Sequence, residues 1–241
     1  MKLRVIPALA ALTIPSVAIA GPPYLTDDPE PTDTGHWEIY VPLLEAAGAG
    51  SNYDGAVGAE INYGVAQNVQ LTVGLPVAFA HSAGSTRWGA ADLEASVKYR
   101  FVHDEANGVQ VAVFPGLTLP TGSNGMSAGR VTALLPIWAQ KDVGPWSAFG
   151  GGGYAINPGA GNKDFWTGGG AVVRQVGERL SVGIEADLEG AGEIGGHATT
   201  SLGVGAIYDL PGPLRVLASG GPTFSGGDHG FHAFAAVGID Y

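Results

Sequence analysis

The sequence predicts an all-β fold, a transmembrane antiparallel up-and-down β-barrel of about twelve strands. Three observations predict it. Segments of about ten residues alternate apolar and polar side chains along most of the chain. The connections between them alternate between tight and long, and the chain ends on an aromatic residue, Tyr241, in phase with its last apolar series.

The first 20 residues stand apart from this pattern. Lys2 and Arg4 precede an apolar run from Val5 to Ala18, and Ala18-Ile19-Ala20 precedes Gly21, the layout of a secretory signal peptide. Pro7 and Pro15 interrupt the run, which is also short for a bilayer-spanning helix. Its removal leaves nine bases against 22 acids, a formal charge of −13 in place of −11.

Residues 21–34 form a leader with four acids and four prolines and no periodicity. Proline lacks the backbone donor and restricts the residue before it, so this stretch cannot pair as a central strand. The leader is expected on the periplasmic side, either as a flexible tether or folded up into the pore mouth as a plug. Alternation begins at Gly35, where His36, Trp37 and Tyr40 are expected in an aromatic girdle at the inner interface. The barrel then occupies residues 35–241.

Composition narrows the class further. The 241 residues include 40 glycines, two methionines and no cysteine, which excludes a disulfide scaffold and thiolate metal sites. The acidic balance argues against nucleic acid as a partner, since a phosphate-tracking surface needs basic stripes. After the signal peptide no run of 18 apolar residues occurs, so a transmembrane helix is not expected.

The expected strands run over 35–45, 54–63, 68–79, 88–102, 108–119, 129–140, 145–156, 165–176, 179–189, 198–209, 213–224 and 230–241. In the fourth, Leu93, Ala95, Val97, Tyr99 and Phe101 interleave with Asp92, Glu94, Ser96, Lys98 and Arg100, so one pleat face is oily and the other ionic. A helix would scatter both sets. The ninth sets Leu180, Val182, Ile184, Ala186 and Leu188 against Ser181, Gly183, Glu185, Asp187 and Glu189. Tight turns are expected at 65–68, 103–107, 141–144, 177–178 and 210–212, and longer loops at 46–53, 80–87, 120–128, 157–164 and 190–197. Short turns on one rim and long loops on the other fit an outer-membrane barrel with its short turns in the periplasm. A secreted β-sandwich also shows alternating strands, but its exposed face would carry more charge than these glycine- and alanine-rich strands do.

Four stretches together carry a resemblance: "PPYLTDDPEPTDTGHWEIY", "YGVAQNVQLTVGLP", "WGAADLEASVKYRFV" and "FPGLTLPTG". In this order they resemble the outer-membrane barrel family of the meta-pathway of phenol degradation. Membership implies an outer-membrane channel or transporter in a Gram-negative bacterium, found alongside degradation of aromatic compounds. It implies no catalytic motif. The expected partners are outer-membrane lipid, the barrel assembly machinery and a small solute.

The residues suggest no enzyme, metal site or cofactor. Ser123-Asn124-Gly125 is similar to an outer-membrane phospholipase motif, but no histidine closely precedes the serine, and a general base must lie within hydrogen-bond reach. A turn explains it. His229 and His232 form H-x-x-H at a strand start, which points them to opposite faces; solvent-exposed loop histidines are expected. The candidate lumen-lining residues are Asp92, Glu94, Lys98, Arg100, Arg130, Glu185, Asp187 and Glu189. The acids fall toward the outer half and Lys98 and Arg100 toward the periplasmic half, with Arg130 an exception. In a narrow bore they serve either as charge rings that select solutes or as a salt-bridge network that closes the lumen. A channel for small, aromatic or otherwise hydrophobic solutes is the leading function. A structural or surface-interaction barrel is the alternative, and a lipid-modifying enzyme the third.

Overall fold

The computed structural model describes residues 23–123 and 125–241; the expected signal peptide lies outside them. Among the described residues, twelve antiparallel strands close into a barrel. They are β1 (Trp37–Ala49), β2 (Asn52–Ala66), β3 (Val69–Ser82), β4 (Ser85–Ala90 and Leu93–Asp104), β5 (Val109–Val113 and Gly116–Leu119), β6 (Thr132–Val143), β7 (Trp146–Ile156), β8 (Phe165–Gln175), β9 (Leu180–Glu189), β10 (Thr199–Asp209), β11 (Leu214–Ser225) and β12 (Asp228–Asp240). Each strand pairs with the next, and β12 pairs with β1, from Glu38 opposite Asp240 to Gly48 opposite Phe231. Closure gives every strand two neighbours, as a sheet surrounded by hydrocarbon requires, except that Ser85–Ala90 at the outer end of β4 is laddered to β3 alone.

The alternation fixes the wall. On β4, Val97, Tyr99 and Phe101 are exposed outward while Lys98 between them is buried inside. β9 repeats this with Val182, Ile184 and Leu188 exposed and Glu185 buried. Aromatic pairs mark both rims of the apolar band: Tyr53, Phe79 and Trp88 with Tyr154 and Trp166 at one, Trp37 with Tyr63 and Tyr99 with Phe101 at the other. Tyr53 and Tyr63 stand ten residues apart on β2. At about 3.4 Å per residue and a tilt near 40° that separation is roughly 26 Å, the height of a hydrocarbon core lined by a barrel.

Two expected loops, 46–53 and 80–87, are instead strand, closed by two-residue turns at Gly50-Ser51 and Ala83-Gly84. Glycine there serves close packing: a Cβ on Gly48 would stand 2.5 Å from the Asn52 carbonyl oxygen. The remaining long connections, 120–131, 157–164 and 190–198, fall where expected. Tyr40 is a second correction. It is only 4% exposed and packs inside the barrel against Leu217 and Ala236, its hydroxyl donating to Glu38 Oε1 at 2.6 Å. Trp37 and Ile39 point outward, so a residue at even parity must point in.

Candidate functional site

The leader runs inside the barrel. It starts down from β1, where the Gly35 amide donates to the Gly64 carbonyl at 2.7 Å. The Thr32 amide and hydroxyl both donate to Gln70 Oε1 of β3, at 2.7 and 3.0 Å. Gln70 is itself held by Asn62 and Thr72, and Asn62 donates to Glu60, so a polar network extends up the inner wall. Lys98 of β4 then donates to Asp27 Oδ1 at 3.1 Å and to the Asp28 carbonyl at 2.9 Å. From there the chain crosses the bore. The Leu25 and Thr26 amides donate to Glu185 Oε2 of β9 at 2.8 and 3.2 Å, and the Ser219 hydroxyl of β11 donates to the Pro23 carbonyl. In a ring of twelve strands β3 faces β9, and the leader bonds to both, so it spans the lumen from wall to wall.

The far wall is shaped for it by missing side chains. A Cβ on Gly205 would lie 2.6 Å from Tyr24 Cε1, and one on Gly169 2.6 Å from Thr26 Oγ1; Gly183 likewise underlies the Tyr24 hydroxyl. Tyr24 is 4% exposed and meets Phe149 edge-on, and Thr26 and Asp27 are fully buried. Burial, with Glu185 nearby, pushes the Tyr24 phenol up to about 12, so it is neutral at pH 7. Burial also raises the Asp27 carboxyl above the usual aspartate range, against the pull of the Lys98 ammonium.

The predicted site residues occupy distinct places around this leader. Lys98 and Glu185 grip it from opposite walls. Asp92 instead pins the loop between β5 and β6: its two oxygens accept from the Gly122 and Ala128 amides at 2.9 and 2.8 Å, and the loop's Met126 is buried against Ala78 and Ala80. Arg100 bonds the turn residue Asn68 at 2.8 and 3.0 Å and Gln110 at 2.5 Å. Asn68 has φ 63°, a left-handed turn position that asparagine tolerates. Arg130 ties two loops through the Ala128 and Pro158 carbonyls at 3.0 and 2.8 Å. Glu94, Asp187 and Glu189 share the inward phase of their strands, and among the described residues none has a cation within ion-pair distance. Register places Glu94 and Glu60 on either side of Gly74. The expected pairing of lumen bases with lumen acids is therefore replaced at Lys98 by pairing with the leader.

His232 corrects the reading of H-x-x-H. It is 7% exposed, inside β12, with Nε2 3.8 Å from Glu185 Oε1. Gly203 pairs with Glu185 and Gly221 with His232, and these two glycines clear the wall between the long side chains. Sequence reasoning allowed the leader to enter the pore mouth but did not single out Tyr24, Thr26 and Asp27 as the residues that seat it. The available signal was the run of inward-phase glycines facing no obvious partner. Ser123 lies in a turn, its hydroxyl donating to the Ala90 carbonyl at 3.2 Å. No group of three metal-ligating side chains comes together among the described residues.

Comparison with solved structures gives the architecture a context. An outer-membrane channel from Pseudomonas putida F1 superposes with a TM-score of 0.67 at 13% identity, covering 89% of this chain and 98% of that one. The fold is that of an outer-membrane β-barrel. The KdgM porin matches this barrel with a TM-score of 0.56 at 11% identity, over 85% of this chain and 98% of the porin. The translocator domain of the autotransporter NalP from Neisseria meningitidis gives 0.55 at 15% identity, over 86% and 89%. No protein-family model matches the sequence, and no curated protein does.

Proposed function

We propose that the protein is a narrow outer-membrane channel for small solutes, held closed by its own leader. The observation that carries this reading is the leader's course across the bore, bonded to Gln70 and Lys98 on one wall and to Glu185 and Ser219 on the other. A segment held by a handful of hydrogen bonds and by the ion pairs of one lysine, not by the sheet ladder, belongs to the least stable part of a fold and can leave without unfolding the wall. The likeness in fold to an outer-membrane channel and to a porin supports conduction. The resemblance to the phenol meta-pathway family supports aromatic or otherwise hydrophobic solutes, as do the inward, buried rings of Phe114 and Trp138.

Planar-bilayer recordings test this. A variant lacking residues 23–33 but running as a folded, heat-modifiable barrel should conduct, and wild type should conduct far less. The unpaired carboxylates Glu94, Asp187 and Glu189 should make the opened pore prefer cations, and replacing all three by Gln or Asn should move the reversal potential toward anions. Asp92 and Glu185 are left intact because they hold the loop and the leader. A folded truncated barrel that never conducts would overturn the channel and favour the structural barrel, which the filled interior around Tyr40 and Leu217 otherwise suits.

A further inference from the structure

The outer wall is dished where β8 to β11 face lipid. A trough of about 820 Å³ is floored by Ala206, Ala218 and Gly220 and walled by Val182, Ile184 and Val204. At one end stands Arg174, exposed, its guanidinium 5.1 Å from the centre of the outward Trp146 ring. Among the described residues it has no carboxylate partner. A cation turned toward lipid needs a partner there, since bare charge in an apolar surround is costly.

The course of the trough follows from strand register. Arg174 pairs with Val182, Val182 with Ala206, and Ala206 with Ala218, so these four form one outward row across four strands. The strand ends on the periplasmic rim are Gln175, Leu180, Asp209 and Leu214. Arg174 is thus one residue from the rim, Val182 two, Ala206 three and Ala218 four. The row starts at the inner interface and climbs into the hydrocarbon.

We propose that this trough is a binding site for one phospholipid of the periplasmic leaflet, its phosphate paired with Arg174 and an acyl chain lying over Ala206, Ala218 and Gly220. The guanidinium is a planar fork matched to phosphate oxygens, and it is already oriented by the indole beneath it. The trough's floor lacks the branched side chains that cover the rest of the band, so a chain seated in it touches wall on three sides.

Native mass spectrometry of the delipidated barrel, titrated with phosphatidylglycerol and with diacylglycerol, tests the site. Wild type should take up one phosphatidylglycerol before any further lipid, and diacylglycerol should bind about tenfold more weakly for want of the phosphate. Arg174→Gln should lose about the same factor and Arg174→Lys recover part of it. Ala218→Leu, which fills the trough, should weaken both lipids. Gel mobility of unheated samples confirms that each variant is folded. Equal binding by wild type and Arg174→Gln would overturn the phosphate contact, and equal binding by Ala218→Leu would overturn the trough. A doubled mass abolished by Ala218→Leu would assign the surface to a second copy of the chain and overturn the lipid.

Discussion

Replacing Asp27 by Asn asks whether the leader's seat depends on its ion pair with Lys98. Side-chain exposure is 5% for Lys98 and 0% for Asp27, so solvent screening takes little from the interaction. Breaking a buried pair from one side costs about 3–5 kcal/mol, because the survivor keeps its charge without a partner. Asp28 lies 3.7 Å from the same ammonium and its side chain is 36% exposed, so it takes up part of that loss. The low end, about 3 kcal/mol, is therefore the expected cost to the seated state. At about 1.4 kcal/mol per tenfold, this is roughly a hundredfold increase in the population with the leader lifted.

The amides of Leu25 and Thr26 report that population. Both donate to Glu185 when the leader is seated and exchange with deuterium when it lifts. Exchange of the leader peptide in Asp27→Asn should be roughly a hundredfold faster than in wild type, and Lys98→Met should act alike. Asp27→Leu combined with Lys98→Met should return most of the protection, since removing both charges removes the unpaired survivor. Unchanged exchange in Asp27→Asn would refute the reasoning, and so would a double variant whose loss is the sum of the single ones.

Gly205→Val should push Tyr24 off the far wall, because even its Cβ would stand 2.6 Å from Tyr24 Cε1 and 3.0 Å from Ser219 Cβ. Overpacking of this kind costs about 1–3 kcal/mol, so a cysteine placed at Leu25, in a chain that has none of its own, should react with a maleimide about ten times faster or more. An unaltered labelling rate would mean that the socket does not hold the leader. On the lipid side, Val97→Arg should impair assembly, since arginine at the bilayer midplane costs about 2–4 kcal/mol; unheated gel mobility measures it. Ser96→Arg points inward and should do less harm, and equal damage from both would mean that the two faces of β4 are assigned wrongly.

The wall was legible in the sequence because parity along a strand is local information. Val97 and Lys98 reveal their faces to anyone who reads their neighbours, and the twelve segments follow from repeating that step. The errors came where glycine has two meanings. Gly48 looked like a loop residue, yet it lies within the β1–β2 ladder, where a Cβ would stand 2.5 Å from the Asn52 carbonyl oxygen, so this glycine allows close approach. The interior contacts were less legible because partners are set by register across several strands. Glu185 and His232 meet only because Gly203 and Gly221 fall between them, and alternation within β9 or β12 says nothing of that.

The leader's odd composition, proline-punctuated and acidic, is explained by the distance it has to cover. Twelve strands spaced about 4.8 Å and tilted near 40° enclose a barrel about 24 Å across. Between Thr32 on the β3 side and Pro23 at β11 there are nine residue steps. Extended chain covers about 30 Å in that number, and a helix about 14 Å. β3 and β11 stand four strands apart, a chord of roughly 21 Å, so the leader reaches both while bending at residues 24–26 and 29. Pro23, Pro29 and Pro31 hold φ near −65° and deny the chain helical hydrogen bonds, which keeps it long enough. A segment outside both helix and ladder leaves its own amides and carbonyls unpaired, and the lumen answers them individually: Glu185 takes the Leu25 and Thr26 amides, Gln70 the Thr32 amide, Ser219 the Pro23 carbonyl and Lys98 the Asp28 carbonyl. The polar residues that alternation assigns to the inner face are thus, in part, the hydrogen-bonding partners that a proline-punctuated segment lacking a ladder would otherwise not have.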